Sequence, residues 1–293
     1  MEAMGLDGTT GCAQGPDHGA GARADPQRRS PGGRARRGRR WSRGPAALLL
    51  VCVGLASAAC GSGGSTLEPA AAPQPTVQDR VEDKPSTQPP YTATLHLPEV
   101  TWAGHAAVAN RINAAINAWA STELASFSAS VTQDLAGAHD LPASLPASSL
   151  TVTDQTTMLS ATVLSFQLLA EPYDTGAAHA AQTPDGLTFN LSTGAAYTLP
   201  GLFRADGGYV AALAQQASNG LAAFQPAGAH CYLGTAPAAS AGSFSAWWLS
   251  PDGLVLAFPA GLYTADYCGP ATVSVPYAQL KTIAATGSPL TAF

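Results

Sequence analysis

An α+β domain on a mostly antiparallel sheet, packed by two amphipathic helices, is the fold class this sequence predicts, and three observations carry it. Short runs of alternating apolar and polar residues recur around 91–97, 187–191 and 272–275, as half-buried strands require, and the short apolar run 254–258 adds a further strand. Two longer stretches carry apolar residues at helical spacing instead, and turn chemistry at Ser192, Thr193, Gly194 and at Ser250, Pro251, Asp252, Gly253 joins strand to strand.

Taken in order, Tyr91, Ala93, Leu95 and Leu97 alternate with Thr92, Thr94 and His96, and Pro98 is expected to end that strand. Trp102, Val108, Ile112, Ile116, Trp119, Leu124 and Phe127 then form one helical stripe, an amphipathic helix of roughly six turns at 3.6 residues per turn. Leu150, Val152 and residues 159–169 return to strand character, and residues 171–186 are turn-rich. Leu187, Phe189 and Leu191 make a strand that turns at Gly194, with Tyr197 and Leu199 expected to run back beside it. The second helix carries Tyr209, Val210, Leu213, Ala217, Leu221 and Phe224 and stops at Pro226.

Composition divides the chain before this domain begins. Residues 1–44 hold nine arginines with many Gly and Pro, too little apolar surface to offset the entropy of ordering, and are read as a disordered leader. Residues 45–59 form an uncharged apolar run too short to cross a bilayer and ending in small residues, the pattern of a cleaved signal segment. Residues 60–90 open on Cys60 and continue in Ser, Gly, Pro, Ala and charge, the composition of a flexible tether. The folded domain is expected over 91–293. After Arg43 only five basic residues face fifteen acidic ones, a balance that excludes the basic patch nucleic acid demands.

Leu55, Ala56, Ser57, Ala58 and Ala59 before Cys60, with Gly61 and Ser62 after it, resemble a bacterial lipobox. That resemblance implies a diacylglycerol on the Cys60 thiol and a domain held at the outer face of the cell membrane. Ordinary cleavage at an A-x-A site, releasing a soluble secreted protein, is the alternative. Cys231 and Cys268 then remain as a pair that an oxidising exterior favours as a disulfide, a zinc site involving His230 being the other possibility.

Several fragments share the order of one family. Gly176, Ala177, Ala178 and His179, the run Thr188 to Gly194 followed by Leu202 and Phe203, the hairpin Leu249 to Val255, Tyr263 to Gly269, and Val273 to Leu280 resemble the extracytoplasmic domain of the lysozyme-sensing anti-sigma factor RsiV. The same domain occurs at the N-terminus of some peptidoglycan deacetylases and in a mycobacterial secreted antigen. The resemblance implies an extracytoplasmic α+β fold from about Tyr91 to Ile283.

Catalytic patterns are not found: there is no G-x-S-x-G elbow, no H-E-x-x-H, no phosphate loop and no dinucleotide fingerprint, so neither a cofactor nor a metal is expected. His179 with Asp174, and Tyr263, are the candidate binding residues. The leading expectation is a binding module for a lysozyme-like protein or peptidoglycan, not an enzyme. A wall hydrolase using Glu171 with Asp174 or Asp252 with Asp266, and a surface protein without a ligand, are the alternatives.

Overall fold

The computed structural model describes residues 73–137 and 144–293. The leader, the signal segment and Cys60 lie outside the described residues. The chain enters on strand β1 (Thr76–Asp83), touches a two-residue strand β2 (Ser86–Thr87), and runs back along β3 (Pro90–Thr101). Helix α1 (Ala106–Gly137) crosses over to β4 (Ser149–Leu159), which continues antiparallel into β5 (Val163–Tyr173) and β6 (Thr183–Asn190). The resulting sheet has the order β1-β3-β4-β5-β6, with β3 and β4 its one parallel pair. A helical crossover is what a parallel pair requires.

Beyond β6 come α2 (Tyr209–Ala223), then β7 (Trp247–Ser250), β8 (Gly253–Phe258) and β9 (Ala271–Pro276), which make a second, three-stranded antiparallel sheet. A short α3 (Tyr277–Leu280) follows. The α+β class with two amphipathic helices is therefore the observed one.

Two cores result. Ile112, Ile116, Phe127 and Val131 of α1 pack with Leu95, Leu97, Val152 and Phe166 of the large sheet. Leu213, Ala217 and Leu221 of α2 pack with Leu256, Phe258, Val273 and Val275 of the small one. Buried polar contacts stitch the sheets together: the Leu249 amide donates to Ser165 Oγ at 3.0 Å, Ser165 and Thr188 share a hydroxyl bond of 2.7 Å, and Thr157 Oγ1 donates to the Leu249 carbonyl at 2.8 Å. Hydrogen-bonded polar groups at such a junction are tolerated where apolar ones would fix register less tightly.

Four expectations are corrected. The tether assigned to residues 60–90 contains β1, paired with β3 from Thr76↔Thr101 to Asp83↔Thr94. It is an edge strand, so charged residues such as Asp79, Arg80 and Glu82 suit it, and its sequence looks like linker. Pro98 does not end β3: past Leu95 that strand pairs with β1 alone, so one side of it is free and a missing N–H is tolerated. Helix α1 spans 32 residues, about nine turns rather than six, because buried Val131 extends the apolar stripe beyond Phe127. The expected strand through Tyr197 and Leu199 shrinks to a single bridge, Phe189↔Ala196, before a 3-10 turn at Pro200–Leu202.

Candidate functional site

A disulfide joins Cys231 to Cys268 across a separation of 37 residues, as the exported context suggested, and consumes both thiols that the zinc alternative needed. The two segments it fastens also pair through their backbones. Tyr232 bridges Thr264, the Ala265 amide donates to the Cys231 carbonyl at 2.7 Å, and the Leu233 amide donates to the Tyr263 carbonyl at 3.0 Å.

His179 comes to this clasp rather than to Asp174. Its Nε2 lies 2.8 Å from Asp266 Oδ2, and its Nδ1 lies 3.0 Å from the carbonyl of Ala180. With an acceptor facing each ring nitrogen the doubly protonated imidazolium is favoured, so the Ala180 carbonyl first and the Asp266 charge second raise the His179 pKa. The sign follows: a raised folded-state value contributes stability below the free imidazole range, lost as pH rises through the raised value. An NMR titration of the ring protons is expected to give a midpoint above that of an Asp266→Asn variant, and equal midpoints would contradict the pairing. Asp174 instead neighbours Asp134, and its carboxyl is pushed up by burial and by that second acid.

Tyr263, the remaining candidate binding residue, accepts from the Leu233 amide through its carbonyl. It is half-buried, set edge-on against Phe258 with ring centroids 5.2 Å apart, and belongs to the second core. The residue that faces solvent is Tyr267, 78% exposed, because the 3-10 turn Asp266–Cys268 turns it outward while its hydroxyl reaches the His230 carbonyl at 3.3 Å. Leu233 and Leu262, 55% and 52% exposed, sit on the same fastened segments. Exposed apolar side chains gathered on a rigid support are the usual anatomy of a docking surface.

The carboxylates put forward as hydrolytic pairs have other partners or lie apart. Glu171 accepts from Gln182 Nε2 at 2.8 Å, and Asp266 is engaged by His179. Asp252 caps the other end of β8, where with burial it pushes the Tyr277 hydroxyl up to about 12. A six-residue strand separates those last two acids by about 20 Å.

Acids that do converge went unnoticed in the sequence. Along the seam between α1 and the β5–β6 edge runs a cleft of about 360 Å³ lined by Glu123, Phe127, Ser130, Pro172, Asp174 and Thr183. It continues into a smaller recess of about 150 Å³ at Trp119, Asp185 and Ser245. The Trp119 indole N–H donates to Asp185 Oδ2 at 2.7 Å, and Asp185 Oδ1 accepts from the Gly186 amide at 2.7 Å. Burial raises the Asp185 carboxyl, with those two donors pulling the other way, and burial followed by the Asp185 charge raises Glu123. The signal that could have found this site is the helical spacing of Trp119, Glu123 and Phe127, which places an acid between two aromatics on one face. Among the described residues no group of His, Cys, Asp and Glu has the arrangement of a metal site, and no helix is long and apolar enough to cross a membrane.

Fold and site together describe an α+β domain whose Cys231 and Cys268 segments are fastened by a disulfide. No family model and no curated protein matches the chain. Among solved structures, a DUF3298 family protein from Bacteroides fragilis is similar with a TM-score of 0.50 and 14% identity, over 75% of this chain and 96% of that one. A DUF3298 family protein from Pseudomonas aeruginosa gives a TM-score of 0.42 and 12% identity, over 74% of this chain and 94% of that one. The Bacteroides likeness shows a common fold.

Proposed function

We propose that this protein is a lipid-anchored extracytoplasmic binding module of the cell envelope, engaging a protein such as a lysozyme-like hydrolase. The observation that carries the reading is the exposure of Tyr267, with Leu233 and Leu262 also exposed on the same disulfide-fastened segments. Aromatic and aliphatic side chains held rigid in the free state bind at low entropic cost. The chain after Arg43 is strongly acidic, which favours encounter with a cationic protein, and lysozymes are of that kind. The resemblance to the RsiV domain and the lipobox pattern at Cys60 support the placement outside the membrane.

The test uses the full chain in membrane fractions, titrated with a lysozyme and in parallel with soluble peptidoglycan fragments. Micromolar binding of lysozyme is expected, weakened roughly 30-fold by Tyr267→Ala as for a central aromatic anchor. Because Tyr267 is mostly exposed, the melting temperature should stay where it is. Cys60→Ser should free the domain from the membrane without changing affinity. Binding of wall fragments alone would shift the reading to a glycan, and absence of both would end it.

A further inference from the structure

Helix α1 packs on the large sheet through Ile112, Ile116, Phe127 and Val131, and beside its stretch from Trp119 to Ser130 a cleft stays open toward β5 and β6. Eleven residues of helix rise about 16 Å, which an extended peptide of about five residues would match. Small or hydroxylated side chains, Ser126, Ser130, Ala170 and Thr183, keep that cleft open. Its charge is of one sign. Glu123, Asp174 and Asp185 line it, and among the described lining residues no Lys or Arg answers them.

Three acids with no Lys or Arg among the described lining residues favour a cationic ligand over a neutral sugar, which draws no benefit from a charge of one sign. An apolar floor with acids at intervals matches a side chain that is a hydrocarbon stem ending in a cation. We infer that the cleft between α1 and the β5–β6 edge binds an extended, lysine-bearing peptide segment, with the alkyl stems on Phe127 and Pro172 and the ammonium groups at Glu123, Asp174 and Asp185. Burial already disfavours ionisation of these acids, and an arriving ammonium supplies the missing counter-charge. This site does not depend on the Tyr267 surface, so either proposal stands or falls without the other.

The experiment is calorimetric titration of the intact chain with tetralysine and with chitotetraose. Glu123→Gln removes a charge without changing shape, and Ser130→Phe fills the cleft without changing charge. Glu99→Gln, on β3 and outside the cleft, reports general attraction to an acidic surface. Tetralysine is expected to bind, with at least tenfold loss in both cleft variants and no loss in Glu99→Gln. The inference is overturned by equal loss in all three variants, by binding that Ser130→Phe leaves intact, by preference for chitotetraose, or by no binding of tetralysine.

Discussion

Replacing Cys231 and Cys268 together by serine lowers the melting temperature of the domain by about 8–16 °C. The bond closes a loop of 37 residues, and in the chain-entropy model a loop of that length restricts the unfolded chain by about 4 kcal/mol. For a domain of about 200 residues each kcal/mol corresponds to about 2–4 °C. The loss reaches further than stability. Once the bond is gone, only the Tyr232–Thr264 bridge and a few hydrogen bonds, among them Ala265 to Cys231, Leu233 to Tyr263 and Tyr267 to His230, join the segments, so Tyr267 is held less firmly. Differential scanning calorimetry of the double variant, with lysozyme titration beside it, checks both effects. A melting temperature within 2 °C of wild type would show that the clasp is redundant with the second core.

Gly186→Ala is expected to cost about 3 kcal/mol or more, through overpacking against backbone that cannot retreat. A methyl group on Gly186 would stand 2.0 Å from the Trp247 carbonyl oxygen and 2.7 Å from its carbon. That carbonyl belongs to β7, held in place by the Leu249 bonds to Ser165 and Thr157. Either β6 or β7 must move, and the two sheets then part at their junction. Gly242→Ala, with no atom within 4 Å of its would-be methyl, is the matched control and should fall within about 0.5 kcal/mol of wild type. Urea unfolding of the two variants separates them, and equal midpoints would refute the close-approach account.

What the sequence made legible follows from what packing imposes on it. The stripe through Ile112, Ile116 and Phe127 and the alternation of Ala93, Leu95 and Leu97 are the buried faces of α1 and β3, where burial selects the residue type position by position. β1 escaped notice because an edge strand draws its stability from pairing with β3, and Val77 and Val81 are too few to signal it. At the clasp Tyr263 and Tyr267 are interchangeable as letters, and only the fold, which sets Tyr263 against Phe258 and puts Tyr267 on the 3-10 turn Asp266–Cys268, decides which one faces water. His179 was matched with its sequence neighbour Asp174, whereas the fold brings Asp266 to it from the second sheet's loop. The Glu123–Asp185 cleft was out of reach for the same reason, since its walls come from a helix and a strand that only tertiary packing brings together.

The pairing of Thr76 with Thr101 sets a polarity for the whole domain. The polypeptide arrives at one pole of the large sheet, and β3, twelve residues long, carries the structure about 40 Å to the other. The turn bearing His179, and with it the disulfide and Tyr267, belongs to that far pole, beside Thr92 and Ser149. Chain entry and the solvent-facing Tyr267 therefore lie at opposite poles, so a molecule docked on Tyr267 leaves the entry edge at β1 uncovered.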